Sequence, residues 1–366
     1  MKNQSMVLGI GLLMAIGVPS LSHAQTNNNS YYNTSYPVVA EATAQLAPNL
    51  PDSPELQVSQ GSTQYAITAL LRTEGAHAGV AMVDSKDSKS LTTAPETEEG
   101  FSKPDAYSEY RFAHIQDNRA IGFDGPQHNG IVGFDFESFY QTIVGFNFTY
   151  SNSDLTTQNA GTSFWNSSNS YFFSTYVAKN FSDWVNVGGS FTYGRTDTTF
   201  NAVAPGAFPF GLTQKTTQDS YAYSPFVGVA HTWGAFSFSS TPTYIYGYDH
   251  YNFDYPVTNP GFATGVPPDA KSLNQTFLWL NNFQYAIDDK WSVSAQANWT
   301  HLLTIQSVNS FPIATLPPLG HDWMSFGGRV DYNINKNGSV FAAFEHDAFN
   351  THFDDYRIRT GLSYNF

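Results

Sequence analysis

RIRTGLSYNF, residues 357–366, closes the chain, and its reading decides the fold. The ten residues alternate strictly. Ile358, Thr360, Leu362, Tyr364 and Phe366 fall on one side of an extended strand, and Arg357, Arg359, Gly361, Ser363 and Asn365 fall on the other. One face is apolar and ends in two aromatics; the other carries two arginines. Such a strand suits the wall of a membrane barrel, with lipid outside and a polar lumen within. In a soluble sandwich the polar face would meet water and be rich in Lys and Glu.

Working back from the end, the same period-two pattern recurs to about Tyr107. In VGFDFES, Val132, Phe134 and Phe136 alternate with Gly133, Asp135 and Glu137. VGFNFTY, WVNVGGSFTYGR, WSVSAQANWT and MSFGGRVDY repeat the scheme. The polar face is mostly Gly, Ser, Thr and Asn. The apolar face is capped by Trp and Tyr, as two membrane interfaces select. Tight turns are expected near residues 138–141, 180–183, 233–234, 287–290 and 335–338. Long loops are expected near 116–129, 155–169, 196–216, 249–271, 304–322 and 347–353. These connections imply about twelve strands of 9–14 residues in an up-and-down transmembrane antiparallel β-barrel over 107–366. The strand near 107–115 is the weakest of them, and the even count depends on it. An even count places both ends of the barrel on the short-turn, periplasmic side.

The other end of the chain agrees with export. Lys2, an apolar run over residues 6–18 and the small residues before Gln25 read as a signal peptide, residues 1–24, removed on export. Residues 25–106 are rich in Ser, Thr, Ala and Pro and poor in aromatics, and read as a disordered segment with a short helix over 63–83. With no cysteine, stability must come from closure of the hydrogen-bonded sheet rather than from disulfides. A net charge of −14 argues against nucleic acid as a partner.

From residue 110 onward the order of hairpins resembles the β-domain of autotransporters, outer-membrane barrels of Gram-negative bacteria. The resembling stretches include GIVGFDFES, TIVGFNFTYSNSDL, YFFSTYVAKNFSDWVNVGGSFTYGRTDT and the closing hairpin. The resemblance implies a twelve-stranded barrel that acts as a translocator or display device without catalysis of its own. It implies outer-membrane lipid and the barrel-assembly machinery as partners. It also implies that Arg359, Gly361, Tyr364 and Phe366 form the signal which that machinery reads. The chain departs from the family upstream: about eighty residues, with no repeat, stand where a long passenger is usual.

Glu345, His346, Asp347, His352, Asp354 and Asp355 flank the last long loop and resemble in kind the acid and base of omptin proteases, an alternative of low weight. Hydrated loop charges explain them more simply. His128 and His301 are isolated, and no nucleophile elbow, phosphate loop or zinc spacing occurs. No cofactor is expected. Charges expected to face the lumen are Arg111, Asp135, Glu137, Arg329, Asp331, Glu345, Arg357 and Arg359, forming either ion-paired ladders or the lining of a hydrated pore. A second functional reading is therefore a narrow porin-like channel, or an adhesin whose aromatic loops contact host proteins or glycans.

Overall fold

The computed structural model describes residues 105–117, 123–138, 142–159, 162–182, 184–204, 208–254, 269–308, 322–335, 338–348 and 353–365. Twelve strands form there: β1 (Asp105–Asp117), β2 (Phe123–Ser138), β3 (Thr142–Asn159), β4 (Thr162–Ser182), β5 (Val185–Ala204), β6 (Phe208–Trp233), β7 (Phe236–Asp254), β8 (Asp269–Ala286), β9 (Trp291–Val308), β10 (Asp322–Asn335), β11 (Gly338–Ala348) and β12 (Phe353–Asn365). Each pairs antiparallel with its sequence neighbours, and β1 pairs with β12, so the sheet closes into a barrel with no free edge. Closure is what lets a sheet lie in hydrocarbon, because every backbone N–H and C=O finds a partner inside the ring.

The alternation places side chains as the sequence requires. Outward positions carry Tyr110, Phe134, Phe148, Phe173, Phe191, Phe283, Phe344 and Leu362, all exposed in the isolated molecule. Inward positions carry Asn147, Thr149, Ser174, Thr192, Ser224 and Thr243, all buried. Aromatics gather at the two ends of the outer band. At the short-turn end, His231 packs between Trp184 and Trp233, with ring centroids 4.3 and 4.6 Å away, and Trp291 meets Tyr332 at 4.6 Å. At the opposite end a tyrosine belt runs through Tyr150 with Tyr171, and Tyr193 with Tyr221, at 5.3 and 5.2 Å.

Five connections on one rim are short. Gly234 turns β6 into β7 with φ 57°, a left-handed conformation that residues with a Cβ seldom adopt. Between β8 and β9, Asp288 Oδ1 accepts from the backbone N–H groups of Lys290 and Trp291 at 2.8 and 2.7 Å. The other rim differs from the sequence expectation. Strand pairing runs through most of the loops expected at 116–129, 155–169 and 196–216, leaving gaps of 118–122, 160–161 and 205–207. Strands span 11 residues in β11 to 26 in β6, against the expected 9–14. The cause is that alternation marks only the part of a strand that touches lipid. Above the bilayer the backbone ladder continues, while outward positions become Ser, Thr and Asn and the pattern fades.

Strand β1 begins at Asp105, two residues before the expected boundary, and pairs on both sides, so the even count stands. The expected signal peptide and the helix at 63–83 lie outside the described residues.

Candidate functional site: the lumen and its closing seam

Among the described residues, the inner wall gathers the largest set of buried charged side chains. On β12, Arg357 and Arg359 point inward, as do Glu345 and Asp347 on β11 and Glu109 and Arg111 on β1. All six are buried, and they form one chain of contacts. Asp347 pairs with Arg357, and Arg357 Nη1 lies 3.6 Å from Glu345 Oε2. Glu345 pairs with Arg359, and Arg359 Nε donates to Glu109 Oε1 at 2.8 Å. Arg111 Nη2 donates to the same Glu109 oxygen at 3.2 Å. Three guanidinium groups thus meet three carboxylates across three strands, and the set is neutral. Arg111 and Arg359 are direct register partners, so two like charges face each other across the closing seam. Glu109 holds both, which makes it the pin of that seam.

Beside this ladder Arg329 grips Asp331 with Nε at 2.9 and 3.0 Å from the two carboxylate oxygens, and its guanidinium lies 3.8 Å from the Phe341 ring centroid. That ring fills the space over Gly361, where any Cβ would collide with it and with the Ser108 carbonyl. Similar sockets hold Tyr176 over Gly145 and Phe172 over Gly194. Tyr176 donates its hydroxyl to Asp135 Oδ2 at 2.9 Å. Much of the remaining inner wall is hydroxyl and amide: Ser174 with Thr192 at 2.8 Å, Thr196 to Ser170 at 2.8 Å, and Gln218 and Ser220 onto Asp249 at 2.9 and 2.7 Å. Beside it Tyr107, Ile131, Ile143, Tyr176, Ala178 and Phe226 form a buried apolar cluster.

Of the eight expected lumen charges, Arg111, Asp135, Arg329, Asp331, Glu345, Arg357 and Arg359 lie on the inner face; the Glu137 side chain lies outside the described set. Within the expected assembly signal, Arg359 belongs to the ladder, Gly361 receives Phe341, Tyr364 faces outward and Phe366 is not described. The expected acid–base set is split by the pleat. Glu345 and Asp347 point inward to arginines, while His346 between them points out. His352 and the side chains of Asp354 and Asp355 are not described. His128 and His301 point outward, bonded to the Tyr110 hydroxyl and to Asp322, at 2.7 and 2.8 Å. Among the described residues no group of three His, Asp or Glu is arranged to hold a metal ion.

Sequence reasoning passed over Glu109, Tyr107, Tyr176 and Phe341. Glu109 was within reach, since it shares the period-two face of Arg111. The ring-over-glycine sockets were not, because they join residues on neighbouring strands.

A family model described as the autotransporter β-domain matches residues 108–345. Three solved structures share the fold at 14% identity each. The translocator domain of the autotransporter NalP from Neisseria meningitidis gives a TM-score of 0.58, covering 82% of this chain and 97% of that one. The β-domain of the Bordetella autotransporter BrkA gives 0.54, with 72% and 100% covered. The transport unit of the autotransporter AIDA-I from Escherichia coli gives 0.50, with 76% and 94% covered. No curated protein matches the chain.

Proposed function

The chain belongs to the autotransporter β-domain family, and from that premise we propose that its barrel is an outer-membrane translocator that carries its own upstream segment to the cell surface, without catalysis of its own. The observation that supports this most is the position of the entry point. Asp105, the first residue of β1, pairs with Asn365 on the short-turn rim, so the preceding chain joins the barrel at the mouth of the lumen. The lumenal wall is chemically suited to passage. Its arginines are each paired with a carboxylate, and much of the rest is hydroxyl and amide, with the carboxylates of Asp135 and Asp249 adding negative charge and Tyr107, Ile131, Ile143, Tyr176, Ala178 and Phe226 forming one apolar patch, so an extended polypeptide meets a wall that is polar over most of its described surface.

In this reading residues 1–24 direct export. The barrel-assembly machinery reads the last strand through Arg359, Gly361, Tyr364 and Phe366, and outer-membrane lipid surrounds the aromatic band. Residues beyond the wall, and the loops between strands, would meet host proteins or glycans. Protease added to intact cells tests the reading. Cleavage confined to residues 25–104, with the barrel protected, is the expected result. Complete protection of that segment on surface-exposed, folded barrels would contradict display.

A further inference from the structure

The wall is far taller on one side than on the other. A transmembrane strand needs roughly 9–11 residues to cross. On β4 the outward residues Tyr171, Phe173, Val177 and Phe181 cover that distance, yet the strand has 21 residues. Residues 162–170 therefore stand above the tyrosine belt. Residues 151–159 of β3, 196–204 of β5 and 208–220 of β6 rise with them. At roughly 3.3 Å per residue and a tilt near 40°, this sheet projects about 20 Å past the belt. On the opposite side β11 has 11 residues in all, enough for the crossing and little more.

The outward face of this projection has a definite chemistry. Directly above the acyl-chain band, Tyr150 donates to Asn169 Oδ1 at 2.7 Å, and Asn152 Nδ2 reaches the same oxygen at 3.1 Å. Arg195 stands outward beside Asp197, both more than half exposed. Higher up, Trp165 presents its indole to the outside at 42% exposure, opposite Thr156. Amides in fixed geometry and a flat exposed ring are what sugar hydroxyls and sugar faces call for, and the carboxylates of Asp154, Asp197 and Asp219 on the same face add acceptors for hydroxyl groups.

We propose that the outward face of β3–β6 above the tyrosine belt binds the oligosaccharide headgroup of the outer-leaflet glycolipid. The surface is continuous with the band that touches acyl chains, so its neighbour is whatever those chains carry above them. This inference rests on the barrel's place in the outer membrane and not on translocation. A barrel that displays nothing would still show it.

The test uses the full chain folded in detergent micelles, titrated with three probes: lipopolysaccharide carrying core sugars, lipid A lacking them, and lipid-free core oligosaccharide. Native mass spectrometry counts the adducts, and heat-modifiable electrophoretic mobility verifies folding. Core-bearing lipopolysaccharide is expected to bind about tenfold more tightly than either other probe, and Trp165→Ala should erase that advantage. Asn169→Ala, which removes the acceptor shared by Tyr150 and Asn152, should halve it or more and stands in if the first variant does not fold. Equal affinity for lipid A would overturn the proposal, as would free oligosaccharide binding as tightly as the glycolipid. A core-dependent affinity that neither variant alters would remove it from this face.

Discussion

Glu109 is the residue on which the closing seam depends, and Glu109→Gln is the sharpest perturbation of it. The substitution keeps the side-chain volume but removes one of three carboxylates from a buried set whose members are at most about 6% exposed. Arg111 and Arg359 then face each other across β1 and β12 with three positive charges against two negative. Breaking a buried pair by removing one partner costs about 3–5 kcal/mol. With a denaturant slope of about 5 kcal/mol per molar guanidinium for a chain of this size, the midpoint should fall by about 0.6–1 M. The assay is reversible unfolding of the barrel in lipid vesicles, followed by tryptophan fluorescence. Glu109→Gln with Arg111→Gln restores neutrality, because Arg357 and Arg359 remain against Glu345 and Asp347. That double variant should be about 1–3 kcal/mol more stable than the sum of the single losses predicts. A midpoint shift below about 0.2 M for Glu109→Gln, or strict additivity in the pair, would refute the view that Glu109 pins the seam.

Other expectations follow from the same geometry. Tyr176→Phe should cost about 1.5–3 kcal/mol through loss of the bond to Asp135, read in the same unfolding assay. Gly145→Val should abolish the heat-modifiable folded band because the new side chain occupies the Tyr176 ring, and Tyr176→Ala in that background should restore part of it. Asp347→Asn should lower stability by unpairing Arg357, while peptide hydrolysis by cells bearing it should equal that of cells without the protein; a hydrolytic activity lost on this substitution would revive a protease.

The arrangement of chemistry around the barrel shows what a sequence can and cannot convey. Strand type, count and facing were legible because lipid imposes period two wherever a residue touches it: Phe134, Phe173 and Phe344 mark the outside, and Arg357 and Arg359 the inside. The ends of β3 to β6 were illegible for the same reason. Residues such as Asn152, Ser167 and Thr217 continue the ladder in water, where nothing forces an apolar face. Which charges meet was hidden too, since Glu109 and Arg359 lie 250 positions apart and only closure joins them. The cluster that looked most like an active site is divided in its described part, Glu345 to Asp347. Glu345, His346 and Asp347 are consecutive in the chain, and consecutive residues of a strand cannot share a face.

The central claim is that a membrane-embedded wall closes between β1 and β12 in the register found. The absence of cysteine from the sequence makes a direct measurement available. Ser108 and Leu362 are register partners, at a separation that a disulfide can bridge. A chain carrying Ser108→Cys and Leu362→Cys, oxidised in outer-membrane preparations, should form an intramolecular bond seen as a mobility shift reversed by reductant. The displaced pair Ser108→Cys with Ser339→Cys, which lies on a strand not adjacent to β1, should form none. Failure of the first pair to cross-link in folded protein, or equal cross-linking of the second, would contradict a closed barrel in this register.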